Sequence, residues 1–495
     1  MSHIRLPIAE KFNLSLKAEL WSDRLSPILI KEFRQGLRSQ LFTWAFMLIH
    51  VFMVAGLLFN LGMGSSSGRR AEAEVLFWVM VSAPLLLFLP FGAMSSISLE
   101  RRDGTLDLLQ LAHQKTFRLI LGKWLGHAAL TLLLVLAISP YMVLRYYIGG
   151  MDVFSDLQTL LLILLASGLL TAIAILCSSY NVHPMRQWLT FLVLSFVFLM
   201  CTQGLVLGLN AMSGRGLGLG HEEFSGLLGY IPFVGLSLLF LLLKWATIQV
   251  APETEDHGYA LRWFYIAFML GNILFCCLNS SRTVQGMMFF TALIMTLVVN
   301  LRGLTEPPAH YAGQVTRFCK CGWIHDLHAF FMAPGWATAF FFVLLSLGLL
   351  ILNMFSVDSI YRDICMGPQP VTLVVGTLFM AIVCPCIIGH FLPFGPQSPL
   401  IRSLIAAALL LMPFFLYALG KSLDEPWQAL FIIPGQVLPV SSAFMVIKLS
   451  HSNPLLHPLA ILISHVIVWL GLSWVCYVDI RKTFAAIQHT MVQRG

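Results

Sequence analysis

Long apolar stretches alternate with short polar ones from residue 41 almost to the end of the chain. Residues 41–63 and 75–97 each run 23 residues without a Lys, Arg, Asp or Glu. About 20 such residues, each rising 1.5 Å along a helix, cross a hydrocarbon core about 30 Å thick. Lipid offers no partner to a backbone N–H or C=O, so a segment that spans it must be helical. Further apolar stretches lie near 119–144, 157–178, 188–209, 227–249, 260–278, 286–301, 331–354, 371–394, 402–419, 428–447 and 458–478, making thirteen candidates. The pattern predicts an all-α fold, a polytopic transmembrane helical bundle.

Charge orients it. With the N-terminus in the cytoplasm, the inner side up to residue 220 holds thirteen Lys/Arg: Arg5, Lys11, Lys17, Arg24, Lys31, Arg34, Arg38, Arg101, Arg102, Lys115, Arg118, Lys123 and Arg186. The outer side holds four, namely Arg69, Arg70, Arg145 and Arg215. Basic residues gather in cytoplasmic loops, so this orientation is the expected one. Thirteen crossings would leave Arg481, Lys482 and Arg494 outside, against the same rule. Twelve crossings are therefore expected, with one segment falling short. Residues 286–301 are one candidate, since sixteen residues reach only about 24 Å. Residues 428–447 are the other, interrupted by Pro434, Gly435 and Pro439. No apolar core of a signal peptide precedes residue 41, so the first span is expected to act as the insertion signal. The acidic link APETEDHG at 251–258 divides the chain. The expected regions are a cytoplasmic N-terminus at 1–40, a six-span region at 41–250 and about six more spans at 251–495.

Two polar interruptions stand out. Residues 26–40 read SPILIKEFRQGLRSQ. Ser26 suits an N-cap and Pro27 a first helical position. Leu29, Phe33, Leu37 and Leu41 recur every fourth residue, which predicts an amphipathic helix lying at the membrane interface with its basic residues toward the headgroups. The second interruption, SLERRDGTLDLL at 98–109, follows the second span. The span is expected to continue as a helix through Glu100, Arg101 and Arg102. Gly104 suits the left-handed residue that ends a helix. Thr105 would cap a new helix from Leu106 to about Gln110, with Leu106, Leu108 and Leu109 exposed at a cytoplasmic surface. Exposed leucines flanked by charge suit a groove on another protein, although a solvated hairpin tip is the plainer alternative.

Composition narrows the classes. The chain has 495 residues, 58% hydrophobic and 11% charged, against about 25% charged in soluble domains. The net charge of +7 contains no run of five or six like charges, so it reads as loop bias and not as a nucleic-acid surface. Of ten cysteines, Cys177, Cys201, Cys276, Cys277, Cys384, Cys386 and Cys476 fall in or beside apolar segments and act as small hydrophobes. Cys319, Cys321, His325 and His328 offer four ligand atoms, but at no common zinc spacing. His50, Asn60, His127, Asn272, Asn300, His390 and His465 sit within apolar runs and are expected mostly to bond between helices.

These features together resemble the membrane subunits of ABC-2-type ATP-binding-cassette exporters. The residues that carry the resemblance are Pro27, Ile28, Leu29, Ile30, Lys31, Glu32, Phe33 and Arg34, with Arg38 and Ser39, ahead of the first span. After the second come Glu100, Arg101, Gly104, Thr105, Leu106, Leu108 and Leu109, and then Gly122 and Lys123 in the third. The likeness covers roughly 20–250. The Gly-rich stretch 204–230 also resembles the irregular region between the family's fifth and sixth spans. The resemblance implies that the first helix is a connecting helix, with Pro27, Lys31, Glu32, Phe33, Arg34 and Arg38. It implies a coupling helix at Glu100, Arg101, Arg102, Gly104, Thr105, Leu106, Leu108 and Leu109, receiving thrust from a separate ATPase subunit. The additional half departs from a six-span member and leaves open whether one chain or two form the pathway.

No phosphate-binding loop is found. Gly420, Lys421 and Ser422 come nearest, but Phe415 stands where GxxxxGK[ST] requires glycine. ATP and Mg are thus expected in the partner subunit, and no catalytic, cofactor or metal residue in this chain. Two other classes stay open. A membrane enzyme acting on lipid or glycan would want a His–carboxylate cluster, and His221, Glu222 and Glu223 lack the second His of HExxH because position 225 is Ser. A secondary carrier would want charges at mid-span, and the first six segments hold none.

Overall fold

The computed structural model describes residues 27–62, 67–106, 116–149, 153–180, 185, 187–192, 195–196, 221–252, 255, 258–278, 282–306, 328, 330–333, 335–355, 470–474 and 476–478. Helix is the only regular element among them. Among the described residues, eight helices are long and apolar enough to cross a membrane, and the protein is an integral membrane protein by that measure. Leu108, Leu109, Cys319, Cys321 and His325 lie outside the described residues, as do the stretches 371–394, 402–419 and 428–447.

The chain divides into two compact units. The first contains α1 (Pro27–Leu37), α2 (Gln40–Gly62), α3 (Ser67–Ala93), α4 (Ser96–Arg102), α5 (Thr116–Gly149) and α6 (Val153–Tyr180). It also takes α7 (His221–Val250) from Ile231 onward. The second contains α8 (Gly258–Leu278), α9 (Arg282–Leu304) and α10 (Trp336–Phe355).

In the first unit α2 buries one narrow stripe and leaves the rest exposed, whereas α6 is buried all round from Thr171 to Ser179. Phe42, Ala45, Ile49 and Met53 of α2 interlock with Phe77, Val81, Leu85 and Leu89 of α3 and with Leu130, Leu134 and Ile138 of α5. These spacings of three and four residues follow one side of a helix. On the opposite side of α2, Trp44, Met47, Val51, Val54 and Leu58 are exposed. Where lipid is as apolar as the core, packing and hydrogen bonds choose the buried stripe. His50 meets Tyr141 of α5 at 2.9 Å, one of the interhelical bonds expected for polar groups at this depth.

The second span is not one continuous helix. α3, which carries Pro84 and Pro90, stops at Ala93, turns at Met94–Ser95 and restarts as α4. A restart leaves first-turn N–H groups without intrahelical partners, and the cap residue Ser95 supplies no side-chain bond. Ser178 of α6 takes over, its hydroxyl oxygen accepting from the N–H of both Ile97 and Ser98 at 3.1 Å.

In the second unit, α9 runs 23 residues. The stretch 286–301, one of the two candidates for a segment that falls short, is thus long enough to cross, because the helix extends through polar Gln285 and Arg302 at its ends. Asn272 of α8 donates to Tyr230 at 2.8 Å and to the Met288 carbonyl at 3.2 Å. Asn300 donates to Ser346 at 2.7 Å, and Tyr265 shares a hydrogen bond with Thr296 at 2.8 Å. Asn272 and Asn300 thus bond between helices as expected.

Candidate functional site

Sequence alone places the basic helix before the first span and the charged turn after the second at one end of the bundle. The structure joins them through a third segment. Lys123, in the second turn of α5, is buried with 2% of its side chain exposed. Its ammonium stands 2.8 Å from Glu32 of α1 and 2.9 Å from Glu100 of α4. Lys31 reaches Glu100 at 3.2 Å from the solvent side. Two carboxylates, one buried ammonium and one exposed ammonium thus form a chain of alternating sign. A charge at this depth is costly unless paired, and each carboxylate comes from a different helix.

Small residues let α1 come this close. A Cβ on Gly126 would stand 2.8 Å from the Cβ of Glu32, and one on Gly122 would stand 3.1 Å from Ile28. Gly36 of α1 has Leu130 against it in the same way. Gly122, Gly126 and Leu130 form one ridge of α5 at four-residue spacing. The packed face of α1 is accordingly Ile28, Glu32 and Gly36. The apolar stripe of Leu29, Phe33, Leu37 and Leu41, expected to face acyl chains, is a separate face of the helix. Phe33 does pack on the α2–α3–α5 core, but Leu37 and Leu41 are 37% and 44% exposed. A spacing of four marks a face, yet it does not say whether lipid or protein covers it. Ser39 joins α1 to α2 by donating to the Gly36 carbonyl at 2.7 Å and accepting from the Phe42 N–H at 3.2 Å.

Gly126→Val is expected to prise α1 from α5 and separate Glu32 from Lys123. Overpacking of this kind costs about 1–3 kcal/mol. The melting midpoint in detergent should fall, and the loss should be less than additive with one at Lys123, because the two changes break the same contact. Full additivity would separate the glycine from the ion cluster.

The remaining motif residues divide by direction. Arg101 donates to the Ser179 carbonyl at 3.1 Å, near the C-terminal end of α6, where a cation suits the helix dipole. Gly104 has a φ of 69° and open space where a Cβ would be, so backbone conformation alone explains the glycine. The Thr105 hydroxyl donates back to the Glu100 carbonyl at 3.2 Å; the helix it was expected to cap lies outside the described residues beyond Leu106. Leu106, expected at the surface, is 5% exposed and belongs to the core under α4. The exposed tip consists of Leu99, Arg102, Asp103, Gly104 and Thr105. Pro27 begins α1 as expected, and Arg34 and Arg38 are exposed on it.

Two charged residues of the second unit escaped sequence reading. Arg262, on the second turn of α8, is buried. It donates to the carbonyls of Phe331, Ala333 and Gly335 at 2.9, 2.7 and 3.2 Å. It also donates to Thr338 and to Glu306, both at 3.2 Å. The signal that exposes such residues is a cation within the first two turns of an apolar run, and Lys123 shares it. Among the described residues, no group of three or more His, Cys, Asp or Glu could hold a metal ion; His328 instead stacks near Tyr259 and Trp263.

No protein-family model, curated protein or solved structure matches this chain. Its functional reading rests on the residues themselves.

Proposed function

We propose that this chain is the permease subunit of an ABC exporter of the ABC-2 type. It forms a substrate pathway through twelve crossings and couples it to a separate ATPase, present in two copies. The protein sits in a bacterial inner membrane with its N-terminus in the cytoplasm, either alone or paired with a second permease chain. The supporting observation is the meeting of Glu32, Glu100 and Lys123. Three segments far apart in sequence, each picked out by the resemblance, converge on one buried ammonium. A push on α4 would reach α1 and α5 through those ion pairs. Such a push shifts the spans between inward and outward openings only if contacts differ between the two states.

The test is co-purification from native membranes in mild detergent. A P-loop ATPase is expected to elute with the chain, and the preparation to hydrolyse ATP. Arg102→Glu with Asp103→Arg, reversing the exposed tip of α4, should release the ATPase while the chain still inserts. Gly104→Pro, whose ring fixes φ negative where the native value is 69°, should keep insertion and lose substrate-stimulated hydrolysis. A chain that purifies from its own membranes with no ATPase, under conditions that preserve other transporter complexes, would defeat the proposal and favour a membrane enzyme or carrier.

A further inference from the structure

α1 buries Ile28, Glu32 and Gly36 against α5, and its opposite side is divided lengthwise. Successive residues turn by about 100°, which groups Lys31, Arg34 and Gln35 on one half and Ile30 and Leu37 beside them; Arg38 follows in the turn after α1. Ile30, Lys31, Arg34, Gln35, Arg38 and Ser39 line one open groove. Lys31 is engaged with Glu100. Arg34 and Arg38 are exposed, and neither forms an ion pair among the described residues. Two residues after Arg38 the first candidate span begins, at Gln40. Its outer surface opens with Leu41 at 44% and Trp44 at 61% exposure, continuing from Leu37 at 37%. Two exposed guanidinium groups thus stand just ahead of the first span in the chain, and the exposed side of that span begins with Leu41 and a tryptophan.

We propose that this groove binds an anionic phospholipid, with Arg34 and Arg38 on the headgroup phosphate and Leu37, Leu41 and Trp44 along the acyl chains. Both arginines line the same groove, so both reach one phosphate, and the planar fork of each matches two phosphate oxygens. Tryptophan suits the boundary between headgroup and chain. A soluble anion would satisfy the arginines but leave the apolar strip unexplained, whereas one amphiphile accounts for both. The groove would bind lipid whether or not an ATPase docks on α4.

Native mass spectrometry of the full chain, released from micelles holding equal phosphatidylglycerol and phosphatidylcholine, tests this. The wild type should retain phosphatidylglycerol preferentially. Each arginine near an anionic surface is worth about fivefold in binding, so Arg34→Gln with Arg38→Gln should lower that retention roughly 25-fold. Arg118→Gln, an exposed change on α5 away from the groove, should leave it unaltered. If the double variant aggregates, either single variant carries the test at about fivefold. Equal retention of the two lipids by the wild type, or undiminished retention by the folded variants, overturns the proposal. So does displacement of phosphatidylglycerol by millimolar inorganic phosphate alone, which would mark a site for soluble anions.

Discussion

Lys123→Met is expected to be among the most damaging single substitutions in the first unit. Methionine fills nearly the same volume and keeps the apolar stem, so lost packing contributes little. What it removes is the only cation buried between Glu32 and Glu100 among the described residues. Removing one partner of a buried ion pair costs about 3–5 kcal/mol, because the remaining charge has neither water nor a counterion. Here two carboxylates are left facing each other across α1 and α4, with only the exposed Lys31 nearby. At roughly 2–4 °C per kcal/mol for a large domain, the melting midpoint in detergent should drop by roughly 6–20 °C. The triple variant Lys123→Met, Glu32→Gln, Glu100→Gln should recover much of that loss, since a neutral set removes the uncompensated charge. A role confined to folding would leave the triple variant fully active; a role in transmitting motion would leave it folded but uncoupled from ATP hydrolysis. A Lys123→Met protein with an unchanged midpoint would show that water already solvates the cluster.

The helical bundle was legible because lipid leaves few alternatives. An apolar run long enough to cross must be a helix, and hydropathy located the described ones. Boundaries were less legible. The break at Met94–Ser95 depends on Ser178, a residue some 80 positions away that accepts the two freed N–H groups; no local pattern announces it. The length of α9 was misjudged because hydropathy sees only its apolar middle. At the candidate site, the segments were visible but the direction of their side chains was not. Leu106 looked like a docking leucine and is core. Glu100 looked like part of an exposed charged turn and is turned inward to Lys123. A charge in a polar interruption carries no mark of which way it faces until its partners on other helices are known.

Arg262→Leu is expected to have a comparable effect in the second unit, by a different route. Arg262 holds the chain where it enters α10: three carbonyls, the Thr338 hydroxyl and the Glu306 carboxylate all receive its hydrogens. The carbonyls at Phe331, Ala333 and Gly335 surround a turn in which Gly335 has a φ of 123°, outside the range of a regular helix. The Ala333 and Gly335 carbonyls also accept from the Thr338 hydroxyl, at 2.5 and 2.9 Å, and Gly335 from the Ala339 N–H at 3.1 Å, so the side chain from α8 reinforces a turn that Thr338 already braces. Leucine would leave the buried Glu306 carboxylate without its cation, at about 3–5 kcal/mol, and the Phe331 carbonyl without the Arg262 donor, at about 1–3 kcal/mol if water cannot reach it. Arg262→Lys should recover only part, because a single ammonium has three donors on one point and cannot span the fork that reaches Glu306 on one side and the turn on the other. Cysteine labelling offers a readout specific to this unit. Cys276 of α8 is buried and Cys277 exposed, so intact packing should confine a maleimide to the second of this pair. Loosening α10 from α8 should expose Cys276, whose thiol donates to Asn353 of α10 at 3.5 Å. Cys276 labelling is expected to rise sharply in Arg262→Leu and less in Arg262→Lys. If Cys276 stays protected in both, the turn before α10 is held by its own backbone and Arg262 is not its clamp.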